Sequence, residues 1–313
     1  MTSHSDELAA RFTPDRANGR TRPLATDVPV TVSFEFFPPT DPEMERTLWD
    51  TVRRLAPLAP RFVSVTYGAD GSTRDRTLDV VRRLRSDTAL TIAPHVTSIG
   101  STREELLDLA RQYWTSGIRH LVALRGDLPA SAQNRTSASA SFVWGLDLVR
   151  GLRSVADFDI SVAAYPEVHP EARSARDDLD NLKRKIDAGA TRAITQFFFD
   201  NDAYLRFRDD CAAAGIEAPI VPGILPITRF SQIQRFARRC GATIPDWIVK
   251  RFEGLDEDAE TRRLLGAAVA LEQVEHLQRH GVREFHFYTL NRAELTYAIC
   301  HALGLRYRHI APT

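Results

Sequence analysis

One carboxylic acid, Glu35, lies inside an apolar run at residues 32–37 that has the composition of a buried strand. Side chains alternate between the two faces of a strand, so Ser33 and Glu35 share one face. Pro38 and Pro39 end the strand because proline has no N–H for the ladder. Burial disfavours the ionised carboxylate, so this acid could keep its proton near neutral pH and act as a general acid. The alternative is a carboxylate paired with Lys or Arg, or solvated at a rim.

The elements that would position this acid follow a regular alternation of strand-length apolar runs and amphipathic stretches. The predicted strands are Val30–Phe37, Phe62–Thr66, Leu90–Thr97, His120–Leu124, Ile160–Ala164, Ala193–Phe198, Ile220–Gly223 and Glu284–Tyr288. The predicted helices cover residues 41–56, 73–86, 102–116, 142–156, 173–188, 201–214, 229–240, 256–280 and 291–304. Eight strand-helix units predict an α/β fold, a single (β/α)8 TIM barrel with extra C-terminal helices. A doubly wound open sheet is the alternative.

The chain divides into three predicted segments. Residues 1–28 are polar and lack the apolar core of a signal peptide, which indicates a flexible N-terminal arm. Residues 29–306 form the barrel catalytic domain, and residues 307–313 form a C-terminal tail. Within the barrel, the Ser/Ala-rich stretch Leu128–Ser141 is either a mobile lid or a disordered connection, and its composition favours the second.

Composition narrows the classes of function. The 313 residues include 41 basic and 41 acidic side chains, so no overall basic field attracts nucleic acid. The cysteines Cys211, Cys240 and Cys300 are far apart, which argues against a zinc cluster or a disulfide framework and predicts a reducing, cytoplasmic compartment. No run is long enough to span a bilayer. G-x-G-x-x-G, P-loop and H-E-x-x-H motifs are absent, and we expect no metal.

Polar side chains gather at the predicted strand ends, which meet on one face of a barrel. They are Glu35, Thr66 to Gly68, His95, Arg125 to Asp127, Tyr165 to His169, Gln196, Gly223 and Tyr288 to Arg292. Thr, Tyr, Gln, Asn and Arg suit hydrogen bonding to a planar heterocycle better than metal-dependent hydrolysis. Each residue also has a structural alternative: His95 can be a satisfied core histidine, and the charges on helix 173–188 can be a solvated flank.

Six motifs then carry a family resemblance. They are Ser33-Phe34-Glu35-Phe36-Phe37-Pro38-Pro39, Phe62 to Ala69, Ala123 to Pro129, Ala163 to Pro170, Ile194 to Asp200 and His286 to Arg292. With them, from about Val32 to Gly304, the sequence resembles bacterial methylenetetrahydrofolate reductases. The resemblance implies a FAD-containing (β/α)8 barrel that reduces 5,10-methylenetetrahydrofolate to 5-methyltetrahydrofolate. It also implies a ping-pong order, in which NAD(P)H reduces the flavin and leaves before folate accepts the hydride.

Site residues follow from the resemblance position by position. Glu35 is similar to the family's general acid, and Asp127 to the aspartate near flavin and pterin. The folate contacts would be Asp127, Gln196, Gln232, Phe236 and Arg292. The FAD contacts would be Thr66, His95, Arg125, Gly126, Asp127, Tyr165, His169, Ala172, Asp178, Asn181, Arg184 and Lys185. The chain departs from the family in its longer Leu128–Ser141 stretch and in Trp144-Gly145, where a Tyr-Ala pair is usual.

The resemblance also implies the partners: a folate substrate, NADH or NADPH as co-substrate, and other copies of the chain in a homo-oligomer. The balanced charge and the short apolar runs predict no nucleic-acid or membrane partner. Neither the choice of nicotinamide nor the physiological direction can be read from the residues. Two other functions stay open. One is a flavin-independent barrel lyase or aldolase that uses Glu35 as a base. The other is a folate-binding or flavin-binding protein without turnover.

Overall fold

A ring of parallel strands organises the chain. The computed structural model describes residues 29–67, 74–99, 101–126 and 145–307. The strands are β1 Thr31–Phe36, β2 Val63–Val65, β3 Ile92–Thr97, β4 His120–Leu124, β5 Asp159–Ala164, β6 Arg192–Thr195, β7 Ile220–Val221, β8 Gly223–Ile224 and β9 Glu284–Tyr288. All the pairings between them are parallel, in the order β7-β6-β5-β4-β3-β2-β1-β9-β8.

Helices follow the strands and cover the outside of the ring. They are α1 Pro42–Leu55, α2 Arg74–Asp87, α3 Arg103–Thr115, α4 Gly145–Val155, α5 Ala175–Asp187, α6 Asn201–Ala213, α7 Phe230–Cys240, α8 Asp246–Phe252, α9 Ala259–Arg279 and α10 Glu294–Ala302. None of these helices is both long enough and apolar enough to cross a membrane. The predicted arm at 1–28, the Leu128–Ser141 stretch and residues 308–313 of the tail lie outside the described residues.

The ring closes at Pro222, which divides one strand position into β7 and β8. Val221 pairs with Ile194 of β6 on one side, and Gly223 pairs with His286 of β9 on the other. Proline has no N–H to donate, but the carbonyl of Pro222 accepts a hydrogen bond from His286 N–H at 3.0 Å. Eight strand positions therefore form a TIM-type barrel, as predicted, and the open doubly wound sheet is excluded.

Alternation along β1 separates the helix-covered side from the barrel interior. Phe34 and Phe36 are fully buried in the same apolar cluster as Leu48 of α1. Ser33 and Glu35 point the other way, into the barrel. The two-residue alternation read from the sequence therefore places the carboxyl group of Glu35 inside the ring.

Residue type and position predict helix caps at Asp41, Thr73, Thr102 and Ser231, and the structure agrees in part. Asp41 caps α1, and Thr102 forms a capping box at the start of α3. Thr73, another predicted cap, lies outside the described residues. The prediction that Ser231 caps α7 is wrong: the helix begins at Phe230, so Ser231 already lies within the first turn, and no side chain caps this helix end.

Charged side chains fill the amino end of the barrel, away from the predicted site. The guanidinium of Arg192, only 2% exposed, lies 3.1 Å from Glu284 and 3.6 Å from Asp159. His120 contacts Ser161 at 2.9 Å between Nε2 and Oγ. This buried network lies away from the end of the barrel where chemistry takes place, which is the carboxyl end of the strands.

The long helix α9 packs directly on the segment that leads from β8 into α7. A Cβ on Gly266 would overlap the carbonyl oxygen of Ile227, so the helix backbone touches this segment. One turn earlier, Arg262 donates from Nε to the carbonyl of Thr228 at 3.2 Å and from a terminal nitrogen to Leu255 O at 2.7 Å. The position of α7 therefore depends on α9.

Candidate active site

A cavity of about 550 Å³ opens beside the carboxyl ends of β3, β4 and β5. This volume lies in the range of small-molecule and cofactor sites. Nine of the twelve residues predicted to contact FAD line it: Arg125, Gly126, Tyr165, His169, Ala172, Asp178, Asn181, Arg184 and Lys185. The fold thus brings together residues as far apart in the chain as Arg125 and Lys185.

The loop after β5 supplies one wall of the cavity. The rings of Tyr165 and His169 meet edge to face with centroids 4.5 Å apart. His169 N–H donates to the Asp178 carboxylate at 2.8 Å, and Glu171 N–H donates to His169 Nδ1 at 3.0 Å. Burial, with Arg125 adding to it, lowers the pKa of His169. The neutral ring, whose Nδ1 accepts, then carries its proton on Nε2 and can donate from there.

Lys185 is a cation of the cavity whose pKa departs from its ordinary value. Its Nζ donates to the carbonyl of Ala163 at 2.8 Å. Burial lowers its pKa from 10.5 to about 8, although the Asp178 carboxylate acts in the opposite direction. The ammonium group is therefore held in a place where an anionic ligand would stabilise its charge.

Two further features of the lining suit a polar, anionic ligand. Thr97 Oγ1 is buried and has no hydrogen-bond partner among the described residues. Arg125 pairs with the exposed Glu171 at 2.6 Å, whereas Arg184 lies exposed at the rim, where its Nε donates to the Asp180 carbonyl at 3.2 Å. Buried polar groups are normally satisfied, so an orphaned hydroxyl in a cavity indicates a missing partner.

Glu35 lies inside the barrel mouth with two histidines beside it. Its side chain is 21% exposed, and its Oε2 lies 3.5 Å from His95 Nε2 and 3.8 Å from His286 Nε2. His286 Nδ1 in turn contacts Ser33 Oγ at 2.8 Å. Among the described residues, neither Lys nor Arg forms an ion pair with Glu35.

His95 does not supply a permanent positive charge to Glu35. Burial lowers the pKa of His95 from 6.5 to about 4, even though the charge of Glu35 acts to raise it and His286 contributes a smaller lowering. His95 is therefore neutral near pH 7. Its Nε2 is buried without a hydrogen-bond partner among the described residues. Glu35 therefore has a neutral neighbour and not a fixed cation. A proton donor needs such a neighbour, because a fixed cation would favour the ionised carboxylate.

The segment after β9 fixes the backbone around Glu35. Thr289 Oγ1 donates to the carbonyl of Glu35 at 2.6 Å. Asn291 binds both backbone groups of Phe37, accepting from its N–H at 3.1 Å and donating to its carbonyl at 2.9 Å. Thr51 of α1 donates to the Asn291 carbonyl at 2.7 Å. These contacts set the orientation from which the acid projects.

Tyr288 lies next to Glu35 across the β1–β9 pairing. Its hydroxyl donates to the Thr195 carbonyl at 2.7 Å, and its ring covers Gly223, where a Cβ would overlap both Thr195 and the ring. Burial first, and then the Glu35 charge, raise the pKa of Tyr288 well above 10. The phenol therefore stays neutral and serves to pack the mouth of the barrel.

The remaining predicted residues lie outside the cavity lining. Gln196 follows β6 and accepts from Phe197 N–H at 2.9 Å; Gln232 and Phe236 are half-buried on α7; Arg292 is exposed after β9. Gln196 and Arg292 follow the carboxyl ends of strands, as predicted, whereas Gln232 and Phe236 lie within α7, and the roles of all four stay predictions. Glu35, Thr66 and His95 are also absent from the lining, and Asp127 lies outside the described residues.

Several groups of the site were not singled out from the sequence as functional residues. Ser33 and His286 lie next to Glu35, and Thr97 lines the cavity. The sequence did contain a signal for His286, because alternation along β9 places it on the same inward face as Glu284 and Tyr288. Alternation along β1 places Ser33 on the inward face in the same way. The pairing of Ser33 with His286 is set by strand register, which a single sequence does not report.

A closed parallel barrel with a cavity and an acid at the carboxyl ends of its strands defines a (β/α)8-barrel enzyme. The family model for methylenetetrahydrofolate reductase matches residues 21–304. The chain belongs to the methylenetetrahydrofolate reductase family and is an oxidoreductase of that family, as the motifs predicted.

Individual relatives agree. The 5,10-methylenetetrahydrofolate reductases of Escherichia coli K12 and Salmonella typhimurium LT2 are 57% and 59% identical over 277 residues, covering 88% of this chain and 92% of theirs. Methylenetetrahydrofolate reductase (NADH) 1 of Arabidopsis thaliana is 35% identical, over 87% of this chain but only 48% of its own length. A solved Clostridium thermocellum protein, described as binding two copies of 5-methyl-5,6,7,8-tetrahydrofolic acid, has a TM-score of 0.63 over 88% of this chain and 94% of its own; at 16% identity it supports the fold alone.

Proposed function

We propose that the chain reduces 5,10-methylenetetrahydrofolate to 5-methyltetrahydrofolate with electrons from NAD(P)H, that FAD binds in the cavity, and that Glu35 is the general acid. The observation that carries this proposal is the position of Glu35 at the barrel mouth without a Lys or Arg partner among the described residues. The family supports the overall reaction; the cofactor, the ping-pong order and the acid are the proposal.

The cavity lining fits FAD in its chemistry. Arg125, Arg184 and Lys185 can bind the pyrophosphate, and Asp178 and Asn181 can bind ribose hydroxyls. The orphaned hydroxyl of Thr97 supplies a further donor. When bound, FAD accepts a hydride from the nicotinamide and later gives one to the one-carbon unit of the folate.

The role of Glu35 follows from the ring that must open. In 5,10-methylenetetrahydrofolate, one carbon bridges N5 and N10, and breaking the C–N10 bond leaves N10 with an electron pair. N10 can take a proton from the Glu35 carboxyl, while the lone pair of N5 forms a second bond to the bridging carbon, which becomes a 5-iminium group able to accept hydride. The carboxylate left behind lies beside the neutral His95, and its charge favours the nearby cation.

The test is the absorbance of the purified protein, without and with added FAD. We expect a yellow protein that NADH or NADPH bleaches without oxygen and that methylenetetrahydrofolate restores. Comparing the two nicotinamides in this assay determines the preferred reductant. A protein that binds no flavin but turns over would support the lyase or aldolase, and bleaching without recovery would support a binding protein without turnover.

Cofactor affinity is expected to fall as the pH rises through about 8, because Lys185 then loses the charge that binds phosphate. The same group has the opposite effect on stability. Its pKa is lower in the folded chain than in the unfolded one, so between pH 8 and 10.5 the unfolded chain holds more protons and the apoprotein gains stability with pH. We expect the dissociation constant of FAD to be about fivefold higher at pH 9 than at pH 7.

Flavin fluorescence titrations across this pH range measure that change. Lys185→Arg keeps a positive charge and should abolish the step, whereas Lys183→Arg, at a lysine paired with Asp187 3.0 Å away on the outer side of α5, should preserve it. An identical pH profile in the Lys185→Arg protein would assign the step to another group.

We also propose that the protein works in the cytoplasm as a homo-oligomer. The three cysteines are free thiols, which supports a reducing compartment. The oligomer is expected from the family resemblance, and light scattering on the purified protein measures it directly.

A further inference from the structure

A carboxylate connects the cavity loop with the end of α7. Glu167, in the loop after β5, accepts from the N–H of Thr243 with both of its carboxylate oxygens, each at 3.1 Å. Thr243 lies three residues beyond the last residue of α7, Cys240. The contact thus joins a loop that lines the cavity to the helix that carries the predicted folate contacts Gln232 and Phe236.

The loop is held in an unusual conformation at this point. Val168, next to Glu167, has φ +74°, which is rare for a β-branched residue and costs free energy that the surroundings must supply. Its N–H lies 3.4 Å from the carbonyl of Tyr165 in a tight turn. As a result, Glu167 reaches α7 while His169 on the other side of Val168 lines the cavity.

The end of α7 rests on the same loop. Gly241 ends the helix at φ +74° and donates to the carbonyl of Ala237. A Cβ at Gly241 would lie 3.0 Å from Pro170 Cγ and 3.7 Å from the carbonyl oxygen of Val168, so the two backbones are close. The hydrogen bonds from Thr243 to Glu167 therefore add to a contact that the two backbones already make.

We propose that Glu167 is a positioning residue for the folate step: it holds the carboxyl end of α7 against the loop of the cofactor cavity, so that Gln232 and Phe236 keep a fixed distance from the cofactor. This inference rests on the proposed function. A carboxylate bound to a backbone N–H is a charge-assisted contact that needs no second side chain to be ordered. Loss of it frees the end of α7 while Glu35 and the cavity lining stay intact.

The experiment compares Glu167→Ala, Glu167→Gln and Thr243→Ala. We expect Glu167→Ala to raise the KM for methylenetetrahydrofolate about tenfold, with kcat within about twofold of wild type. Glu167→Gln keeps one oxygen acceptor and should recover part of the loss. Thr243→Ala is the matched control, because it removes the side chain and keeps the N–H, and it should behave like wild type.

Three further measurements separate positioning from general damage. The flavin content and the Tm of Glu167→Ala should equal those of wild type, and the amide of Thr243 should exchange with solvent faster. An unchanged KM in Glu167→Ala, or equal losses of flavin, Tm and kcat, would overturn the positioning role. A wild-type chain that does not reduce the folate at all would instead refute the proposed function, and the exchange rate of Thr243 would still report whether the contact orders α7.

Discussion

Glu35→Gln is expected to yield a protein that NADH reduces at close to the wild-type rate but that reduces methylenetetrahydrofolate about 1,000-fold more slowly. Glutamine has nearly the same shape as glutamic acid, and its amide can still contact the two histidines 3.5 and 3.8 Å from Glu35 Oε2. An amide, however, has no acidic proton to give to N10. Stopped-flow absorbance of the flavin measures the two half-reactions separately.

The control for this variant is Glu294→Gln, which changes an exposed acid in the first turn of α10 on the outside of the barrel. It should leave both half-reactions unchanged. If Glu35→Gln slowed flavin reduction as strongly as folate reduction, Glu35 would be supporting the site as a whole rather than donating a proton. If the variant reduced folate normally, another group would have to be the acid.

Gly266→Ala is expected to lower the free energy of unfolding by about 2–3 kcal/mol. Helix propensity alone predicts the opposite, an increase. Alanine in the middle of a helix is normally about 1 kcal/mol more favourable than glycine. Here the added methyl would overlap the carbonyl of Ile227, which is backbone and has little room to move. Thermal unfolding should show a Tm lower by roughly 3–5 °C.

Ala268→Gly is the matched control for Gly266→Ala, since it makes the reverse change at an exposed position two residues away in α9. It should cost about 1 kcal/mol from propensity alone. A Tm for Gly266→Ala at or above wild type would show that α9 can move away from Ile227. We further expect folate reduction to fall in Gly266→Ala at temperatures where it is folded, because the segment displaced by the methyl leads into α7.

The alternation of strand and helix could be predicted because each element satisfies its own local pattern. The predicted strand His120–Leu124 matches β4 to the residue, and the capping box at Thr102 was visible from the spacing of Thr and Glu. Errors arose where the chain responds to a distant partner. The predicted strand Ala193–Phe198 ends at Thr195, and the predicted strand Ile220–Gly223 divides at Pro222, where each half pairs with a different neighbour.

The site shows the same division. Glu35 could be recognised from the sequence because burying an acid within an apolar strand costs free energy. Its neighbours His95 and His286 come from β3 and β9, and only the closure of the barrel brings them within 4 Å of its carboxylate. The contact of Glu167 with Thr243 spans 76 residues and uses a backbone N–H, which has no signature in the sequence.

Taken by itself, the amino-acid sequence determined the elements, the face of β1 that carries Glu35, and the family motifs, because these depend on residue type and spacing along a few turns or strands. The tertiary structure decided which strands meet, that His95 is buried and neutral beside Glu35, and that the cavity gathers its basic groups from the loop after β4 and from α5. The reason is physical. Local preference is read along the chain, whereas desolvation, charge and distance between groups exist only after packing has brought remote residues together.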